Sequence, residues 1–183
     1  MESRDVIVVG SGPAALRAAI ACADGGNIPL LIDEFGVSSA SGSTPIAGIA
    51  ASIDEVDASS HIQDTISAAG ETCSEDAINR ICKEAVNTLA ELERWGLVLR
   101  RKEGGLPHAS PMPGHTTARV TGCGDSTVRE VTKLLEEQII KRGIQRNADN
   151  LPISLVSDNN QVRGLIVLNI VTGEILPIQA KAV

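Results

Sequence analysis

Residues 10–15 read Gly-Ser-Gly-Pro-Ala-Ala. The spacing Gly10-x-Gly12-x-x-Ala15 has a defined chemistry when a strand precedes it and a helix follows. Gly10 permits a tight turn, Gly12 lets a pyrophosphate approach the backbone, and Ala15 keeps the helix close to the strand. The helix N-terminus then offers unpaired N–H groups and a partial positive charge to phosphate oxygens. About twenty residues on, Asp33 stands at the end of a second apolar run, with Glu34 beside it. Either carboxylate could accept hydrogen bonds from an adenosine ribose. The candidate nucleotide-contacting residues are therefore Gly10, Ser11, Gly12, Pro13, Ala14, Ala15, Asp33 and Glu34. An acid at this place disfavours a 2′-phosphate, which leaves FAD and NAD open.

The elements needed to position these groups are legible. Asp5-Val-Ile-Val-Val9 is a β-branched run of the kind found in a doubly buried parallel strand. The Ala-rich stretch 14–21 is strongly helix-forming and Gly25-Gly26 stops it. Residues 28–33 form the second strand, which completes a β-α-β unit. Residues 36–52 read as an ordered loop. A helix is predicted over 59–69. A longer one starts at the N-cap Ser74, with Ile78, Ile81, Cys82, Ala85, Val86, Leu89 and Leu92 on one face and Gly96 as its stop. Residues 102–118 lack periodicity and form a long loop. Thr127-x-x-Glu130 is a capping-box candidate ahead of a helix that Gly143 closes. Runs 151–157, 161–170 and 174–183 are separated by turn residues and predict a three-stranded antiparallel meander.

The fold class that results is α/β. A Rossmann-like βαβ core carries inserted helices at about 55–142 and an antiparallel β-meander at about 150–183, within one domain over 1–183. Of the 183 residues, 43% are hydrophobic and 21% charged, with a net charge of −7. Phosphate-backbone binding wants a basic surface, so nucleic acid is not an expected partner. No apolar run reaches the length of a membrane-spanning helix, and no signal peptide is visible, so the expected location is cytoplasmic. With one Phe, one Trp and no Tyr, the core must be aliphatic. Cys22, Cys73, Cys82 and Cys123 form no C-x-x-C pair, so reduced thiols are expected and no metal site.

Beyond the fingerprint, the chain resembles the flavoprotein subunits of succinate dehydrogenase and fumarate reductase, with L-aspartate oxidase in the same superfamily. The resemblance covers essentially all 183 residues. It is carried by Ala14–Ile20, by Gly42-Ser-Thr-Pro-Ile-Ala-Gly48-Ile-Ala-Ala51 and by His61-Ile-Gln-Asp-Thr65. Glu91-Leu-Glu-Arg-Trp-Gly96, Gly114-His-Thr-Thr-Ala-Arg119, Asp125-Ser-Thr127 and Val162-Arg-Gly-Leu165 continue it. The resemblance implies FAD, with Ser11, Gly12, Ala14 and Ala15 at the pyrophosphate and Asp33 or Glu34 at the ribose. It also implies that the loop containing Ser41, Gly42, Ser43, Thr44, Ala47 and Gly48 wraps the flavin.

The respiratory members attach FAD through a histidine in that loop. Here no His occurs among residues 1–60, and Ser41 lies near the position, so noncovalent FAD is expected. The loop is about two residues shorter than the family's form. Where aspartate oxidases carry an acid before the Gly-His pair, Met112 stands. The implied activity is hydride transfer between FAD and a dicarboxylate, once a complementary part supplies the family's catalytic groups. The alternatives are a non-catalytic FAD-binding unit, an L-aspartate oxidase-like flavoprotein and a small NAD module. No catalytic residue is assigned. His108 and His115 read as solvated or structural, Arg119 as a surface ion pair, and Asp54-Glu55 and Glu136-Glu137 as solvated faces. Expected partners are a complementary flavoprotein segment, an iron–sulfur subunit at the inner face of a membrane, or a second copy, because an apolar edge should remain beside the last strand.

Overall fold

The computed structural model describes residues 3–34, 48–52 and 55–183. The chain forms two compact units, one of residues 1–44 with 132–183, the other of residues 45–131. The loop residues Ser41, Gly42, Ser43, Thr44 and Ala47 lie outside the described residues, as does Asp54.

The first unit is built on a six-stranded sheet. Its strands are β1 (Ser3–Val9), β2 (Pro29–Ile32), β5 (Gln145–Asn147), β6 (Asn150–Asp158), β7 (Gln161–Asn169) and β8 (Ile175–Ala182), in the order β5-β2-β1-β8-β7-β6. The pairs β5–β2, β2–β1 and β1–β8 are parallel; β8–β7 and β7–β6 are antiparallel. The meander is therefore continuous with the parallel half through β8. Ile7, Leu30, Ile32, Leu165, Val167, Ile178 and Ala180 form one buried aliphatic cluster drawn from both halves. Every residue of β2 is buried, as its unbroken apolar sequence requires.

The expected open edge beside the last strand is not observed. β8 is interior, with Ser3 opposite Gln179 on one side and Gly164 opposite the same Gln179 on the other. The edge strands are β5 and β6. Gln145-Arg-Asn147 carries no apolar alternation, so this short strand is invisible to pattern reading. It exists because β2 offers it a parallel ladder.

Helix α1 (Pro13–Asp24) follows β1 directly and buries Leu16, Ala19 and Ile20. The second unit holds α2 (Glu55–Ala69), a 3-10 turn at Gly70–Thr72 and α3 (Glu75–Trp95), together with the paired two-residue strands β3 (Ile49–Ala50) and β4 (Val120–Thr121). The chain returns to the first unit within α4 (Thr127–Lys141). Ser74 caps α3 by accepting from Ala77 N–H, and Gly96 ends it at φ +121°. Only the centre of the predicted apolar stripe is buried: Ile78, Cys82, Leu89 and Leu92. Its flanks, Ile81 and Val86, are exposed.

Thr127 does not form the predicted capping box. Its hydroxyl donates to Gly124 C=O at 2.6 Å and accepts from Cys123 N–H at 2.9 Å, pinning the turn before the helix. The first helical bond runs from Glu130 N–H to Ser126 C=O, which places the cap one residue earlier.

Candidate functional site

The first unit contains the glycine-rich turn. Gly10 sits at φ +124°, a region that side chains rarely adopt, and donates its N–H to Ile32 C=O at 2.8 Å. A Cβ built on Gly10 would lie 3.4 Å from the Ala15 Cβ, so the turn and the first helical turn are already in contact. Gly12 is the N-cap of α1 and has no side chain with which to cap it; Pro13 follows as the first helical residue. The helix ladder starts at Leu16 N–H, bonded to Gly12 C=O. Gly12, Ala14 and Ala15 N–H thus have no acceptor inside the helix. Ser11 is buried in the turn. This is a cradle whose donors, charge and backbone clearance fit a pyrophosphate.

Asp33 is only 4% exposed. Arg146 Nε lies 3.4 Å from its Oδ2, and the Arg146 Nη2 donates to Glu136 Oε1 at 2.8 Å. Asp33 N–H donates to Asn147 C=O, and its own carbonyl accepts from Asn150 N–H. Asp33 therefore ties β2 to the start of the meander as well as ending the strand. Glu136 is buried in this pair rather than solvated, contrary to the sequence reading. Glu34 is half-buried.

The second unit contains a polar cluster that sequence reasoning misses. Arg119, expected on the surface, has a fully buried side chain. All five guanidinium N–H groups find acceptors. Nε donates to Asp57 Oδ1 at 3.0 Å, and one Nη1 hydrogen goes to Asp64 Oδ2 at 2.6 Å. The other Nη1 hydrogen goes to His115 Nδ1 at 2.9 Å. Nη2 donates to Ser60 Oγ at 2.6 Å and to Thr117 Oγ1. Because Arg can only donate, His115 Nδ1 must be an unprotonated acceptor. His115 is thus half-buried in an ion network rather than a lone loop histidine. One signal could have found the cluster: Asp57, Ser60, His61 and Asp64 recur at helical spacing and form one polar stripe on α2.

The electrostatics follow from this packing. Thr116 N–H and then Arg119 hold the Asp64 carboxyl down at about 2. Burial works against ionisation of Asp57, but the Thr117 hydroxyl and Arg119 outweigh it and keep that carboxyl low as well. Burial, and after it the neighbouring Arg119 and His115, push the His61 imidazole below its ordinary value. Its Nδ1 lies 3.1 Å from Ser52 Oγ, and both residues are buried. An apolar cavity of about 160 Å³ lies alongside, lined by Ala51, Val86, Leu89 and Leu106 with Arg119 and Ser52. It explains why Val86 is not packed over. Among the described residues no cluster has the makings of a metal site, and no helix is long and apolar enough to cross a membrane.

A family model described as FAD binding domain matches residues 5–183. The chain belongs to this family. It is an FAD-binding domain of the succinate dehydrogenase and fumarate reductase flavoprotein type. An uncharacterized FAD-dependent oxidoreductase of Methanocaldococcus jannaschii is 34% identical over 97% of this chain and 33% of its own length. A fumarate reductase (CoM/CoB) subunit of Methanothermobacter marburgensis is 29% identical, over 97% of this chain and 34% of that protein. Among solved structures, quinol fumarate reductase FrdA of E. coli superposes with a TM-score of 0.91 at 25% identity, covering 99% of this chain and 32% of that one. The chain spans about a third of the length of the relatives it matches.

Proposed function

We propose that this domain holds FAD noncovalently as the nucleotide-binding part of a flavoprotein that moves hydride between flavin and a dicarboxylate. The bound flavin would supply the two-electron chemistry. The groups that grip the dicarboxylate and move protons would come from protein beyond this chain's third of the family length. The observation that carries the reading is the cradle at Gly10–Ala15, a glycine turn at positive φ feeding a helix whose first N–H groups have no side-chain cap. In it Ser11, Gly12, Ala14 and Ala15 meet the pyrophosphate, with Pro13 setting the first helical turn. Of the two acids, Glu34 is the better ribose acceptor, because Asp33 is buried against Arg146. Ser41, Gly42, Ser43, Thr44, Ala47 and Gly48 are the proposed flavin-side loop. Noncovalent attachment rests on the absence of histidine before His61. By the same reading the assembled protein lies at the cytoplasmic side, joined to an iron–sulfur subunit or to a second copy.

The test is the visible absorbance of the purified protein before and after acid precipitation. A flavin band that moves to the supernatant supports the reading. A band retained in the pellet overturns noncovalent attachment, and a colourless protein that takes up no added FAD overturns the cofactor site. Glu34→Gln should weaken FAD binding more than Asp33→Asn does at equal stability, measured by flavin fluorescence titration. The reverse order would assign the ribose to Asp33.

A further inference from the structure

The apolar cavity beside the polar cluster lies wholly within the second unit and has a volume of about 160 Å³. Three pieces of backbone enclose it. Val86, Leu89, Ala90 and Glu93 recur at helical spacing and turn one face of α3 toward it. The loop at 106–109 forms a second wall. The third is the β3–β4 ladder. Arg119 and Thr121, two residues apart, stand on the cavity side of that ladder, and Val120 between them does not line the space. Ala51, Leu89, Arg119 and Thr121 are buried and make its floor, while Val86 and Leu106 are exposed beside it and give a small molecule a way in. The sequence accounts for the space. Alanines stand at 51, 90 and 109, and in a chain with one Phe, one Trp and no Tyr no described aromatic ring fills it.

The polar side chains that line the cavity are engaged, with one exception. Arg119 has its N–H groups bonded within the cluster. Ser52 Oγ lies 3.1 Å from His61 Nδ1, and Glu93 pairs with Arg101. Thr121 is 4% exposed, and its Oγ1 has no hydrogen-bond partner among the described residues. A buried hydroxyl left in that state is destabilising. A water would need about two to four polar partners to settle there, whereas a ligand with one oxygen needs one. An apolar cavity of about 150 Å³ takes up benzene, so the space suits a single ring. We infer that this cavity is a binding site for a small neutral ring compound carrying one hydroxyl, a phenol-sized molecule whose ring lies against Ala51, Leu89 and Leu106 and whose oxygen bonds Thr121 Oγ1. An anion is disfavoured, because the one Arg119 cation is outweighed by the Asp57 and Asp64 carboxylates. The volume admits one ring and no helix or strand of a partner chain. The site is separate from the proposed FAD cradle, which belongs to the other unit.

The experiment titrates the full chain with phenol, toluene and benzoate and follows the amide chemical shifts. Phenol should saturate one site, with the shift changes centred on Ala51, Leu89, Ala109 and Thr121. Benzoate should bind at least about tenfold more weakly, since its charge meets the excess of carboxylate. Thr121→Val keeps the shape of the side chain and removes the hydroxyl. It should weaken phenol about fivefold, the worth of one hydrogen bond, and leave toluene within about twofold of wild type. It should also unfold at no lower temperature than wild type, because the hydroxyl it removes has no partner to lose. A wild-type protein that takes up toluene but rejects phenol overturns the inference, as does one that saturates with neither. Benzoate bound as tightly as phenol, phenol bound equally well by Thr121→Val, or shift changes centred elsewhere overturn it too. A Thr121→Val protein that unfolds below wild type, or does not fold, shows the hydroxyl bonded within the protein and sinks the inference on stability alone.

Discussion

Arg119 carries more of the second unit's electrostatics than any other described side chain. Removing it leaves Asp57 and Asp64 without the cation they share. Arg119→Gln should lower unfolding stability by about 3 kcal/mol, the low end for breaking a buried pair, because Asp57 and Asp64 keep 15% and 9% of their side-chain surface exposed. Urea denaturation by far-ultraviolet dichroism measures it. His61 sets a separate pH dependence. Its folded-state value lies below the ordinary 6.5, so the unfolded chain binds the proton more readily. Stability should therefore fall as pH drops from about 6.5 toward the depressed value and stay level above it. His61→Gln should flatten that slope. The Asp64 contribution persists to much lower pH: full above about 3.8, it disappears as pH falls through about 2. At this scale the sequence is legible where backbone geometry is demanding, as at Gly10 and Gly12. It is opaque at Arg119, because burial of a charge depends on partners as much as 62 residues away in the chain.

Helices and strands are readable to different degrees for physical reasons. Ser74 and Gly96 bound α3 as expected because capping is local chemistry. The helix α2 begins at Glu55, a turn earlier than predicted, since its polar stripe hides the apolar period. Thr127 misleads because a hydroxyl before a helix can bond either forward to the first turn or backward to the preceding loop, and here it bonds backward. The two-residue strands β3 and β4 carry no pattern at all. Their pairing depends on Gly48, and Gly48→Ala should show it. The new methyl would overlap Thr121 C=O, a backbone atom that cannot rotate away. The expected cost is about 1–3 kcal/mol, with loss of amide-exchange protection at Ala51, whose N–H bonds Arg119 C=O. Protection retained at that amide would contradict this.

For the whole chain, composition and periodicity suffice for an α/β fold with a terminal meander. The way the meander joins the parallel sheet is beyond them, because β8 pairs with β1 across nearly the whole sequence. Self-association still has a basis, though not the expected one. β6 is an edge strand with Ile153 and Leu155 exposed, and Ile175 and Leu176 of β8 are exposed on the same meander. The wild-type chain should show concentration-dependent mass in light scattering, and Leu155→Lys should reduce it. A single monomer mass at every concentration would count against the edge as an association site.

The β1–β8 pairing also governs timing. On the ribosome β1 emerges early, yet its partner on one side, Ser3 with Gln179 and Arg4 with Ala180, is made more than 170 residues later. Residues 45–131 form a contiguous unit and can fold while the rest is still being synthesised. The first unit cannot, since its central strand waits for that distant neighbour. Vectorial synthesis therefore leaves a nascent chain with the unit that holds Arg119 already formed and the nucleotide-binding sheet still missing its middle. A translational pause before β8 emerges would prolong the interval in which β1 exposes an unpaired ladder to chaperones.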